Sequence, residues 1–372
     1  MDEAATEAYI RELYAYVLDR QSVSDREVAD WMGAARNGMS PVEMFRTFAT
    51  SKENTKRRAD LSGSRTKFRD GHFYSPVVNV VDLASRRQQI AQRGSPAGVK
   101  IDAEQQLAEL ARLTMHADAM PFTDEKTAEN RYYYRNPSYG FGDACIYWGM
   151  LANLRPRRII EIGSGFSSAL ALDSIDRLGL ATTCTFIDPY PQVLQQLAAP
   201  IDPRHRVIED LVQNVDPSIV TELGRNDILF IDSSHVVKSG SDVLFELTEL
   251  LPRLPPGAVV HFHDAFYPFE YPLKWVLDDN RSWNELYFLH AFLMYNHAFE
   301  IRFFNHFVAT TQRDAVRRLI AEPLASRLLL NPGGGLWLTR SQPGFRDKSG
   351  GTSPGEADPA ADGPCNGPPP SA

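Results

Sequence analysis

Four side chains stand where a proton could be moved. Asp232 and His235 lie three apart beyond the apolar run Asp227 to Ile231, and His263 and Asp264 lie just beyond a second run, Ala258 to Phe262. An imidazole titrates near neutral pH, so a histidine among carboxylates can take a proton from a hydroxyl and pass it on. Carboxylates with an imidazole can also hold a divalent ion; oxygen-rich ligation favours magnesium, and more imidazole tolerates manganese or a transition metal. His261 alternates with His263 along its run and reads as a core histidine.

For the four to act together, the two runs must be neighbouring parallel strands whose carboxyl ends open on one crevice. The surrounding pattern supplies such a sheet. Apolar runs at Arg158 to Ile162, Thr182 to Ile187, Arg206 to Ile208, Asp227 to Ile231 and Ala258 to Phe262 alternate with helical stretches near Ser167 to Leu178 and Ser241 to Leu251. Ser282 to Glu285 has the form of a capping box opening a long helix to about Tyr295. Phe299 to Ala309 and Gly335 to Thr339 are predicted as two further strands.

The first of these runs closes on Glu161 and breaks into Gly163-Ser164-Gly165. A glycine turn between strand and helix lets backbone N–H groups approach a ligand where a side chain would block them. Asp188, followed by Pro189, ends the second strand 25 positions after Gly163, where a carboxylate can accept both hydroxyls of a ribose. Asp210 after the third strand stands where an adenine amino group would lie. The ligand expected at these strand ends is an adenosine-bearing cofactor.

Composition sets the frame for this chemistry. The chain has 372 residues, 43% hydrophobic and 23% charged, with a net charge of −8, which offers no electrostatic case for nucleic acid. Cys145, Cys184 and Cys365 are far apart and form no metal-type pair, so a reducing cytoplasm is the expected compartment. Neither a signal peptide nor a membrane span is legible.

Residues 1–54 read as a helical accessory module, with Ile10, Leu13, Tyr14, Val17 and Leu18 on one face and Asp25 and Ser40 as N-caps. Residues 55–75 are polar and basic and read as a linker. Residues 76–155 form an extension whose aromatic run from Tyr132 to Trp148 is either a lid or core packing. Residues 156–340 form the cofactor domain, and 341–372, rich in Pro and Gly, are expected to be a disordered tail.

Glu161-Ile-Gly-Ser-Gly165, Asp188, Asp232 and Pro256-Gly257 together resemble the class I S-adenosylmethionine-dependent methyltransferases. Within that family Ile231 to His235 (IDSSH) and His261 to Asp264 (HFHD) are most similar to the macrolide and sugar O-methyltransferases. The first 54 residues resemble a small bacterial helical module of unknown function. The resemblance implies an α/β, doubly wound, Rossmann-like sheet of seven strands with an antiparallel final strand, preceded by a helical domain. It implies that Glu161, Gly163, Ser164, Gly165, Asp188, Pro189, Asp210 and Asp232 hold S-adenosylmethionine. It further implies His235 as general base and, in the metal-dependent members, a divalent ion such as Mg2+ at Asp232, His263 and Asp264, where His263 departs from the all-acidic pattern. The expected substrate is a small molecule with a hydroxyl, a sugar or glycosylated natural product, with no nucleic-acid or membrane partner and a homo-oligomer as an open possibility. Alternative readings are a catalytically silent binding protein, an N-methyltransferase, a hydroxylase-like relative and an NAD-dependent oxidoreductase.

Overall fold

The computed structural model describes residues 2–18, 20, 22–61, 67–92 and 94–341. Contacts divide the chain into two units, Met1–Ser85 and Arg86–Ala372. Cys365 and all of the expected tail but Ser341 lie outside the described residues.

In the first unit, helices α1 (Glu3–Glu12), α2 (Asp25–Arg36), α3 (Pro41–Ala49), α4 (Lys52–Leu61) and α5 (Val80–Ser85) follow one another. Ile10, Leu13, Tyr14, Leu18, Val28, Met32, Met44 and Phe48 form its core. Ser40 caps α3 as expected, with Pro41 in the first turn. The cap of α2 is Ser24 rather than Asp25: Ser24 and Glu27 form a reciprocal capping box. The stretch expected as a linker opens inside α4, and the division into units falls later, at Ser85.

The second unit is built on one sheet. Its elements run α6 (Arg87–Ala91), α7 (Ala103–Thr114), α8 (Phe141–Leu154), β1 (Arg158–Ile162), α9 (Phe166–Leu178), β2 (Thr183–Ile187), α10 (Gln192–Ala198), β3 (Arg206–Ile208), β4 (Ile228–Ile231), α11 (Asp242–Phe245), β5 (Val259–Phe262), α12 (Leu273–Leu277), α13 (Glu285–Leu293), β6 (Phe299–Phe304), α14 (Asn305–Thr311), α15 (Arg313–Leu319), α16 (Leu324–Leu330) and β7 (Leu336–Arg340). The seven strands lie in the order β3-β2-β1-β4-β5-β7-β6, and β7 alone runs against the rest. Winding reverses between β1 and β4, which opens the crevice used by ligands in doubly wound sheets.

Three elements differ from expectation. The predicted strand Phe299 to Ala309 ends at Phe304, where the buried Asn305 side chain donates to the Pro332 carbonyl and starts α14. The helix expected from Ser241 to Leu251 holds α-geometry only through Phe245, then widens into a π-turn over Glu246–Leu250 and tightens at Leu251–Arg253. The expected capping box at Ser282 is absent, because Asn284 is the N-cap of α13 and the Glu285 side chain turns elsewhere.

Pairing register places Phe186, Glu161, Phe230, His261 and Trp337 side by side across the sheet. Tyr147 of α8 packs on this row, 5.0 Å from the Phe230 ring and 5.5 Å from Trp337. Tyr132, Tyr139, Tyr147 and Trp148 of the aromatic run before β1 are all fully buried and pack as core. Each such side chain contributes about 1.5–3 kcal/mol by leaving water. His261 is core as expected, but neither ring nitrogen has a hydrogen-bond partner, and burial holds it neutral, well below the usual histidine range.

Candidate active site

Gly163 begins the site. Its φ of +80° suits only glycine, and a Cβ there would stand 1.9 Å from the carbonyl oxygen of Asp232. The turn after β1 and the end of β4 are therefore in backbone contact. Ser164 donates both its N–H and its hydroxyl to Asp188 Oδ2, at 2.8 and 2.7 Å, while Asp188 Oδ1 accepts the Tyr190 N–H at 2.8 Å. Gly165 N–H donates to Ser168 Oγ at 3.0 Å. Asp210 is exposed at the end of β3, bound to the Leu211 N–H and the Asn214 amide. Pro189 is half-buried beside Asp188.

Glu161 is fully buried, and its Oε1 accepts from Ser167 and Ser168 in the first turn of α9, at 2.5 and 2.9 Å. In this arrangement it braces the glycine turn from below. Burial raises its pKa to about 8 despite the two hydroxyl donors, and its Oε2 has no partner.

The four residues expected to do the chemistry meet. His235 Nε2 is 3.4 Å from Asp232 Oδ1 and 3.6 Å from Asp264 Oδ2. His263 Nδ1 is 3.3 Å from the same Asp232 oxygen and 3.8 Å from Asp264 Oδ1. Both imidazoles thus face the two carboxylates, which remain partly exposed, at 26% and 17% of their side chains. His235 and Asp264 both hold positive φ, +58° and +53°, a costly backbone for non-glycine residues that concentrates at working sites.

Two carboxylates not anticipated from the sequence anchor the outer sides of these rings. Glu285 Oε2 lies 2.8 Å from His235 Nδ1, and both groups are buried. The N–H groups of Asn284 and Glu285 also donate to the His235 carbonyl, each at 3.1 Å, which holds the strained loop against the start of α13. Asp143 of α8 lies 3.5 Å from His263 Nε2 and accepts from the Gly334 N–H and the Asn305 amide. Glu285 sat in the apparent capping box, and Asp143 in the aromatic run, so each carried a competing local explanation.

The charges follow from these contacts. Burial alone would lower the pKa of His235, but its bonds to Asp232 and Glu285 raise it to about 10. His263 is likewise pushed down by burial and, more strongly, up by Asp232 and Asp264. Burial favours a protonated Asp232, yet the two imidazoles hold it well below the usual carboxylate range; for Asp264 and Glu285 burial wins and the pKa rises. Both imidazoles thus favour their charged forms beside an Asp232 that favours its ionised form.

Among the described residues, no group of three or more His, Cys, Asp or Glu side chains has an arrangement that could hold a metal ion.

Residues 160–265 match the model of a family described as a methyltransferase domain, and residues 2–58 that of a domain of unknown function. An uncharacterized protein of Archaeoglobus fulgidus is 32% identical over 171 residues, covering 43% of this chain and 76% of its own. Two solved structures are similar at lower identity. The SAH-bound methyltransferase PaMTH1 of Podospora anserina shares 15% identity over 70% of this chain and 96% of its own, with a TM-score of 0.33. The SAM-bound O-methyltransferase TomG of Streptomyces achromogenes shares 13% over 70% and 96%, with a TM-score of 0.31.

Proposed function

We propose that the chain, whose residues 160–265 match a methyltransferase domain, is a class I S-adenosylmethionine-dependent methyltransferase that transfers a methyl group to a hydroxyl of a small molecule, with a sugar or glycosylated compound as the acceptor class. The observation that carries this reading is the placement of His235. Its ring is fixed on one side by Glu285 and opens on the other towards Asp232 and Asp264, in the loop after β4, the neighbour of β1 and its glycine turn.

In this reading Gly163, Ser164, Gly165 and Asp188 hold the cofactor, Glu161 braces their turn, and Pro189 and Asp210 border the adenosine. The bound cofactor supplies an electrophilic methyl on a sulfonium. As the C–O bond formed, the S–CH3 bond would break with its electron pair left on sulfur as a neutral thioether, and the hydroxyl proton would pass to His235. To act as a base His235 must first be neutral, and two carboxylates hold it protonated to about pH 10 in the resting protein. A bound sulfonium would add positive charge beside His235 and so favour its neutral form. Asp232 orients the imidazole and the incoming hydroxyl. The proposal routes no step through a divalent ion. Residues 1–54 are proposed as a packing or self-association module.

The test is twofold. S-adenosylhomocysteine should bind in calorimetry with micromolar affinity; no binding at tens of micromolar sinks the reading. A radiolabelled methyl group should then pass to a hydroxyl acceptor in wild type and fail to pass in His235→Ala with cofactor affinity retained.

A further inference from the structure

The wall beside His235 carries a cation that the chemistry above does not use. Trp283 lies against His235, ring centroids 4.4 Å apart, and meets Trp275 nearly edge-on at 5.6 Å and 83°. The Arg281 guanidinium sits in the corner between these indoles, 4.3 Å from Trp275 and 4.7 Å from Trp283. Its backbone is fixed by an N–H bond to the Trp275 carbonyl at 2.9 Å, just after Asn280 in the left-handed region. Arg281 approaches one carboxylate, Asp279, at 3.9 Å, which is too long for a hydrogen bond, and 37% of its side chain is exposed.

A guanidinium held between two indoles has few rotamers left, and its N–H groups donate in its own plane. That geometry fits the two oxygens of a carboxylate or phosphate. Trp283 touches both groups, the Arg281 guanidinium and the His235 ring.

We propose that Arg281, braced by Trp275 and Trp283, binds a carboxylate or phosphate on the acceptor, so that the enzyme selects anionic hydroxylated molecules such as uronic acids or sugar phosphates. This rests on the reading that the hydroxyl is activated at His235. The ionic contact sets which acceptor is held, and His235 sets whether its hydroxyl reacts.

The experiment uses the full chain loaded with S-adenosylhomocysteine and three probes, glucuronate, glucose 6-phosphate and glucose, followed by saturation-transfer NMR and calorimetry. At least one anion binds saturably and glucose does not; the tighter of the two anions distinguishes carboxylate from phosphate. Arg281→Met, which keeps apolar bulk over the indoles, weakens the anion about tenfold or more while cofactor affinity stays unchanged. If that variant fails to fold, the wild-type salt dependence decides: added NaCl must weaken the anion. Glucose binding as well as the anions, neither anion binding, an anion indifferent to Arg281→Met, or one indifferent to salt each overturns the proposal. Wild type that does not bind S-adenosylhomocysteine strikes the methyltransferase reading instead.

Discussion

His235 Nδ1 and Glu285 Oε2 lie 2.8 Å apart in a water-poor setting, and the backbone N–H of the same glutamate holds the His235 carbonyl. One residue therefore fixes both the ring and the main chain of the proposed base. Glu285→Gln keeps the shape and the backbone bond but removes the charge. We expect kcat to fall about 10²-fold with KM little changed. The rising limb of the pH–rate profile, which reports deprotonation of the base, should move to lower pH, because a partner that raises the pKa of His235 is gone. Glu285→Asp should recover part of the rate; an unmoved pH profile would leave Glu285 with a structural role alone.

Asp188 ties the glycine turn to the end of β2 through two bonds from Ser164. Asp188→Ala loses that tie and the proposed ribose contact, and calorimetry with S-adenosylhomocysteine should register a loss of affinity of about tenfold or more. Unchanged affinity would remove the ribose assignment.

Gly163 tolerates no side chain. In Gly163→Ala the new methyl meets the Asp232 carbonyl at 1.9 Å on a backbone of φ +80°. Strain and overpacking together predict a loss of about 2–4 kcal/mol in urea unfolding, with cofactor binding reduced. A variant as stable as wild type would mean that β4 can retreat from the turn.

Glu161 gives stability a pH dependence of definite sign. Its folded pKa is about 8, raised by burial from an ordinary 4.5. The stabilisation is fully present below 4.5 and is lost as pH rises towards 8, at about 1.4 kcal/mol per unit. Glu161→Gln preserves an acceptor for Ser167 and Ser168 without titrating. The stability of wild type relative to this variant should therefore fall between pH 5 and 8 in denaturation experiments; a flat difference would contradict the buried neutral carboxyl.

The sheet was legible because each strand combines an apolar run with a polar or glycine stop, and Asp188, Asp232 and His263 are such stops. The convergence of Asp232, His235, His263 and Asp264 followed from β4 and β5 being neighbours. The anchoring carboxylates were not legible, because their partners lie far along the chain: Glu285 is fifty positions from His235, and Asp143 meets His263 only once α8 lies on the sheet. The break between β6 and α14 was hidden for a related reason. Phe299 to Ala309 is apolar throughout most of its length, which strand and buried helix share, and the tertiary bond from Asn305 decides between them.

The close approach of Gly163 to the Asp232 carbonyl has a mechanical meaning. A pocket whose two halves were joined by flexible side chains could accept a misplaced donor and still keep its acceptor side in order. Here main chain bears on main chain, so any tilt of the turn is transmitted to the residue that aims His235. Seating the methyl donor and readying the proton acceptor become a single fitting event, and a donor seated out of register spoils both at once.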